Sequence, residues 1–144
     1  MTIINLGDAT ITSAVSALVI TSGVSGGVTV PYIDGLDDMA ELSMEFYFGY
    51  GSGGTTLTAW LQSSVSQGAR WHDVACLGAT TATMDRMVSL KRTADTTLWT
   101  PTNGTLAANT VASSIVLGDR LRVLLTTTGT YAGSSILSCR ASVK

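Results

Sequence analysis

The chain has 144 residues, enough for one domain whose core needs no metal or disulfide staple. Charged residues make up only 12% of it, about half the usual share, and the formal net charge is −2. Scattered bases on a weakly acidic chain argue against a dedicated nucleic-acid binder, and no run reaches the ~18 apolar residues of a membrane span.

Thr, Ser and Gly fill the place of the missing charge, and low charge leaves little repulsion between copies. That composition suits a subunit packed among neighbours. Every Lys and Arg lies at or after Arg70, so residues 1–69 carry −6 and residues 70–144 carry +4. Either the acidic half of one copy faces the basic half of the next, or both halves interleave within one domain.

At the N-terminus, MTIINLGDATITSAVSALVI has no base before its apolar part, which does not read as a secretory signal. Residues 1–16 are read as an N-terminal arm and 17–144 as one domain. Short strands are expected at ALVIT from Ala17 and at VTVPYI from Val28, where Pro31 marks an edge or a strand end. DGLDD at Asp34–Asp38 clusters carboxylates without EF-hand spacing and reads as a solvated turn. Any helix at LDDMAELS is brief, because it runs straight into LSMEFYF. That strand alternates cleanly, with Leu42, Met44, Phe46 and Phe48 on one face.

The glycine-rich loop FGYGSGGTT follows. Gly49, Gly51 and Gly54 match G-x-G-x-x-G, but there is no lysine and the next stretch, TLTAWLQS, has period two. A phosphate loop needs a helix there, so this loop is read as a hairpin connection. TLTAWLQS is expected to put Leu57, Ala59 and Leu61 opposite Thr58, Trp60 and Gln62. RWHDVACL from Arg70 is the next strand. His72 and Asp73 are adjacent in it and point to opposite faces, so they do not form a dyad.

MDRMVSLKR from Met84 alternates again. Asp95–Thr110 is a long polar connection, and NGT at Asn103 reads as a turn. DRLRVLLTT and SILSCRASV complete the chain, with Leu121, Val123 and Leu125, then Leu137, Cys139, Ala141 and Val143, on one face each. Cys76 and Cys139 are too few for a disulfide framework and read as buried thiols. The expected fold is all-β: a single-domain, jelly-roll-like β-sandwich of about eight strands. No catalytic set, cofactor site or metal site is expected.

One turn is distinctive. SSVSQGARWHDVA resembles the Asp-box turn S-x-D-x-G-x-T-W, with Ser64, Gly68 and Trp71 matching, Ser66 in place of the Asp and Arg70 in place of the Thr. That turn is structural in the proteins that carry it. Two stretches, FGYGSGGTTLTAWLQSSVSQGARWHDVA (Phe48–Ala75) and LGDRLRVLLTTTGTYAGSS (Leu117–Ser135), resemble small all-β structural proteins of tailed-bacteriophage virions.

The resemblance implies a virion component. The best fit is a capsid decoration (cement) protein that bridges major capsid protein subunits on the outer head surface, commonly as a homotrimer. Its N-terminal arm would add a strand to a neighbouring sheet through Ile3, Ile4 and Leu6. Tyr50, Ser52, Trp99 and Tyr131 are the loop candidates for a binding surface. Arg86, Arg92, Arg120 and Arg122 are the candidates for pairing with an acidic neighbour. Two other readings stay open. A tail or head–tail joining protein would need a long inserted hairpin, for which only residues 93–110 are available. A carbohydrate-binding module would need exposed aromatics, for which Tyr47, Tyr50, Trp60, Trp99 and Tyr131 are available.

Overall fold

A computed structural model describes residues 2–144. The strands, in chain order, are β1 (Thr2–Thr10), β2 (Leu18–Val19), β3 (Gly23–Ser25), β4 (Val28–Val30), β5 (Glu41–Gly49), β6 (Ser52–Gly53), β7 (Thr56–Ser64), β8 (His72–Ala79), β9 (Met84–Lys91), β10 (Thr110–Val111), β11 (Arg120–Thr128), β12 (Tyr131–Ala132) and β13 (Ile136–Val143). No helix occurs among the described residues; the short one considered near Asp37 is a turn.

Two antiparallel sheets face each other. The first has the order β1-β13-β5-β9 and the second β10-β8-β7-β11-β2; β3–β4 and β6–β12 are two-stranded ribbons. The fold is the expected single-domain sandwich. Alternation predicts the inward face of β5 correctly: Leu42, Met44, Phe46 and Phe48 are all buried. They meet Leu121, Val123 and Leu125 of β11 and Leu57, Ala59 and Leu61 of β7 in one core.

The second sheet departs from alternation. β7 and β8 are buried on nearly every residue. The cause is the segment after β9, which crosses the outer face of this sheet. Trp60, Cys76 and Leu124 on that face pack under Leu106, and Trp60 Nε1 donates to the Leu106 carbonyl at 3.0 Å. A sheet covered on both sides loses its polar stripe.

The N-terminal segment corrects an expectation. Residues 2–10 are not a free arm: β1 pairs antiparallel with β13 of the same chain, from Thr2↔Val143 to Thr10↔Ile136. A bulge between Asn5 and Gly7 lets Leu6 point fully into the core. The Leu6 carbonyl accepts a hydrogen bond from Thr21 Oγ1 at 2.6 Å, and that oxygen accepts from the Val123 N–H at 2.8 Å. This bond pair closes one side of the sandwich. The opposite side, between β9 and β10, stays open.

The charge halves interleave. Acid-rich β5 lies between base-bearing β13 and β9, with Lys91–Glu41 at 3.4 Å and Arg140–Asp8 at 3.0 Å. The division of charge along the sequence therefore creates no division in space.

Candidate functional site

The glycine loop is packed against the turn at 129–135. Ribbon β6–β12 joins them, pairing Tyr131 with Gly53 and Ala132 with Ser52. Tyr131 is fully buried; its ring stands edge-on to Phe48 at 5.5 Å and to Tyr50 at 6.2 Å, and its hydroxyl donates to the Thr80 carbonyl at 2.6 Å. Gly54 has φ +71°, and a Cβ there would lie 2.3 Å from the Tyr131 ring. The glycines thus supply a left-handed turn and room for an aromatic ring.

The Asp-box-like turn is equally closed. Ser64 Oγ accepts from the Gly68 N–H at 2.9 Å and donates to the Arg70 carbonyl at 2.7 Å. Ser66, standing where that motif has Asp, accepts from the Arg70 N–H at 3.0 Å. Arg120 Nη1 donates to the Gln67 carbonyl at 2.6 Å while its guanidinium lies over Tyr32 at 4.4 Å. Arg122 lies over Trp71 at 4.3 Å, and Tyr32 and Trp71 are 6.1 Å apart. Two arginines of β11 thereby clamp the turn between β7 and β8.

From Arg122 a polar chain runs inward. Its Nε donates to Gln62 Oε1 at 2.9 Å, and Gln62 Nε2 donates to Asp73 Oδ1 at 2.9 Å and to Asn103 Oδ1 at 2.7 Å. Asp73 is fully buried and accepts four more bonds, from Thr102 Oγ1 and from the N–H groups of Gly104, Thr105 and Leu106, at 2.8–3.1 Å. Burial pushes this carboxyl up, but the donors of Gln62, Gly104, Thr102 and Leu106 outweigh it and hold it below the usual carboxylate range. Asp73 is therefore the anchor of the crossing loop. Its neighbour His72 donates from Nε2 to the Val116 carbonyl at 2.6 Å. The two adjacent residues serve different segments and form no dyad.

These contacts revise the candidate surface. Leu6 and Tyr131 are buried in the core and do not reach a partner. Arg120 and Arg122 are half-buried on their own aromatics. Tyr50 is half-buried with its hydroxyl on the Gly53 carbonyl, and Trp99 is half-buried, edge-on to His72 at 6.0 Å. Ile4 is half-buried against the core. Ile3, Ser52, Arg86 and Arg92 are exposed, but they lie in different places. Of the aromatics considered for sugar binding, only Tyr47 is exposed on a sheet face; Trp60 is roofed by the loop. Residues 93–109 form no hairpin.

The sequence reading missed the open side of the sandwich. There a cleft of about 450 Å³ lies between β9 and β10, with Phe46, Ala75, Leu77, Arg86, Val88 and Val111 in its lining. Beside the cleft runs β9, an edge strand with Met87 at 72% exposure. The signal was present in MDRMVSLKR: its alternation puts the charged Arg86 on the same inward face as Met84, Val88 and Leu90.

Cys76 and Cys139 are both free and buried, and burial raises both thiols, Cys76 to about 12. No family model matches the chain, and no curated protein and no solved structure matches it.

Proposed function

We propose that this chain is a bacteriophage virion structural protein, a capsid decoration (cement) protein. It bridges and stabilises major capsid protein subunits on the outer surface of the head. The observation that carries the reading is the union of the two stretches that resemble virion proteins. Phe48–Ala75 and Leu117–Ser135 are separate in sequence but form one unit, through the nine-residue pairing of β7 with β11, the β6–β12 ribbon and the Arg120–Arg122 clamp. The shared turns belong together because each supports the other.

The strand order also supports it. Counting β1, β2, β5, β7, β8, β9, β11 and β13 as one to eight, the sheets run 1-8-3-6 and 2-7-4-5. That order is expected of a jelly roll wound from two Greek keys, an architecture found in virus shells and also in lectins. Architecture alone assigns no role. The local chemistry favours a mechanical one: Asp73, Gln62, Arg120 and Arg122 are engaged in fastening a loop and a turn to the sheets.

The test is the heat resistance of expanded heads that lack this protein, from the phage that encodes it. Adding the purified chain is expected to raise the temperature at which they release DNA. An unchanged release temperature at saturating protein contradicts the reading.

A further inference from the structure

We propose that β9 is a self-pairing edge: two copies of this chain join β9 to β9 antiparallel about a two-fold axis at Val88, making one continuous eight-stranded sheet. The inference stands on the edge itself and does not depend on the virion reading.

The first observation is the availability of the edge. β9 pairs with β5 over eight consecutive residues, from Glu41↔Lys91 to Phe48↔Met84, without a bulge or a proline. The opposite edge, β1, is broken by its bulge at Asn5–Gly7. Long regular edges are normally blunted, because their unpaired backbone groups template another strand.

The second is hydrogen-bond parity. Glu41 and Lys144 exchange both backbone bonds, so Glu41 faces β13. Ala40 accepts from the Arg92 N–H on the β9 side. Alternation then turns Leu42, Met44, Phe46 and Phe48 toward Leu90, Val88, Arg86 and Met84. The N–H and C=O groups of Asp85, Met87, Ser89 and Lys91 consequently point away from the sheet. An antiparallel partner centred on Val88 sets Asp85 against Lys91 and Met87 against Ser89, so every outward group meets an outward group.

The third is charge. That same register places Asp85 of each copy opposite Lys91 of the other, on the solvent face. Among the described residues Asp85 forms no ion pair within its own chain. Glu45 on the neighbouring strand is another acid, and its carboxyl is raised through a hydrogen bond with Asp85. Lys91 of a second copy, which in its own chain lies 3.4 Å from Glu41 on the exposed surface, supplies the cation that Asp85 lacks. Shifting the register by one two-residue step about the axis loses both ion pairs. On the inner face, the second copy's Val88 and Leu90 come to the mouth of the cleft lined by Phe46, Leu77 and Val111. A two-fold contact of this kind is self-complementary and closes at a dimer, unlike the three-fold association that the resemblance implies.

Sedimentation equilibrium of the full chain over a concentration series tests it. The expected species is a dimer. Ser89→Pro removes an outward donor without touching the β5 ladder, and is expected to give a folded monomer by circular dichroism. Asp85→Lys is expected to weaken dimerisation about tenfold, and Asp85→Lys with Lys91→Glu to restore it. A wild-type monomer or trimer throughout the series overturns the proposal. So does a folded Ser89→Pro variant that dimerises like the wild type.

Discussion

Asp73 is the side chain with the most to lose. Its carboxylate collects five hydrogen bonds in the interior, and four of them come from residues 102–106 and so hold the crossing loop. Asp73→Ala leaves those donors unpaired and is expected to cost about 3 kcal/mol in urea unfolding. Because folding lowers this pKa, the stabilisation is complete above the unfolded value and is lost as the pH falls through the folded one. The wild type should therefore weaken on acidification below the ordinary carboxylate range, and Asp73→Asn should flatten that slope. Gly54→Ala meets both a positive φ and the Tyr131 ring, and is expected to lower stability by about 2–3 kcal/mol. A thermal melt that matches the wild type would show that the loop can move aside. The roles of these two residues were only partly legible. Gly54 announced a turn, but the ring it accommodates is 77 positions away. Asp73 beside His72 suggested a catalytic pair to consider, while its real partners lie some thirty residues on.

At the scale of elements, alternation was readable wherever one face of a strand meets solvent. β5 and β13 bury every second residue, as their sequences indicate. It failed on β7 and β8, because Leu106 and its loop roof the outer face, and a polar loop gives no sign of what it covers. It failed again at β1. TIINL has the pattern of an added strand, and pairing depends on which edge is nearest; here β13 of the same chain takes it. The consequence is that deleting residues 2–10 removes a core side chain, Leu6, and should destabilise the monomer rather than spare it. Retained thermal stability in that deletion would contradict the assignment. Cys76 and Cys139 provide a second check on the elements that hold them. Both thiols are buried and raised, so a thiol reagent should label them only in denaturant.

For the whole molecule, the sandwich and its single domain were legible from strand spacing and turn chemistry. The open side between β9 and β10 was not, since it depends on which edges the topology leaves unpaired. Nor was the meeting of the two turn stretches, which needs the β7–β11 register. Together they describe a sandwich with two unlike flanks. One flank is sealed by Thr21 and the other offers an edge strand and a cleft. The role proposed for it is to cover and link capsid subunits. The most direct measurement of that claim is co-sedimentation of the purified chain with expanded heads lacking it. The account predicts saturable binding at a fixed ratio to the major capsid protein. A chain that stays in the supernatant at every concentration, while its fold is intact by circular dichroism, would contradict it.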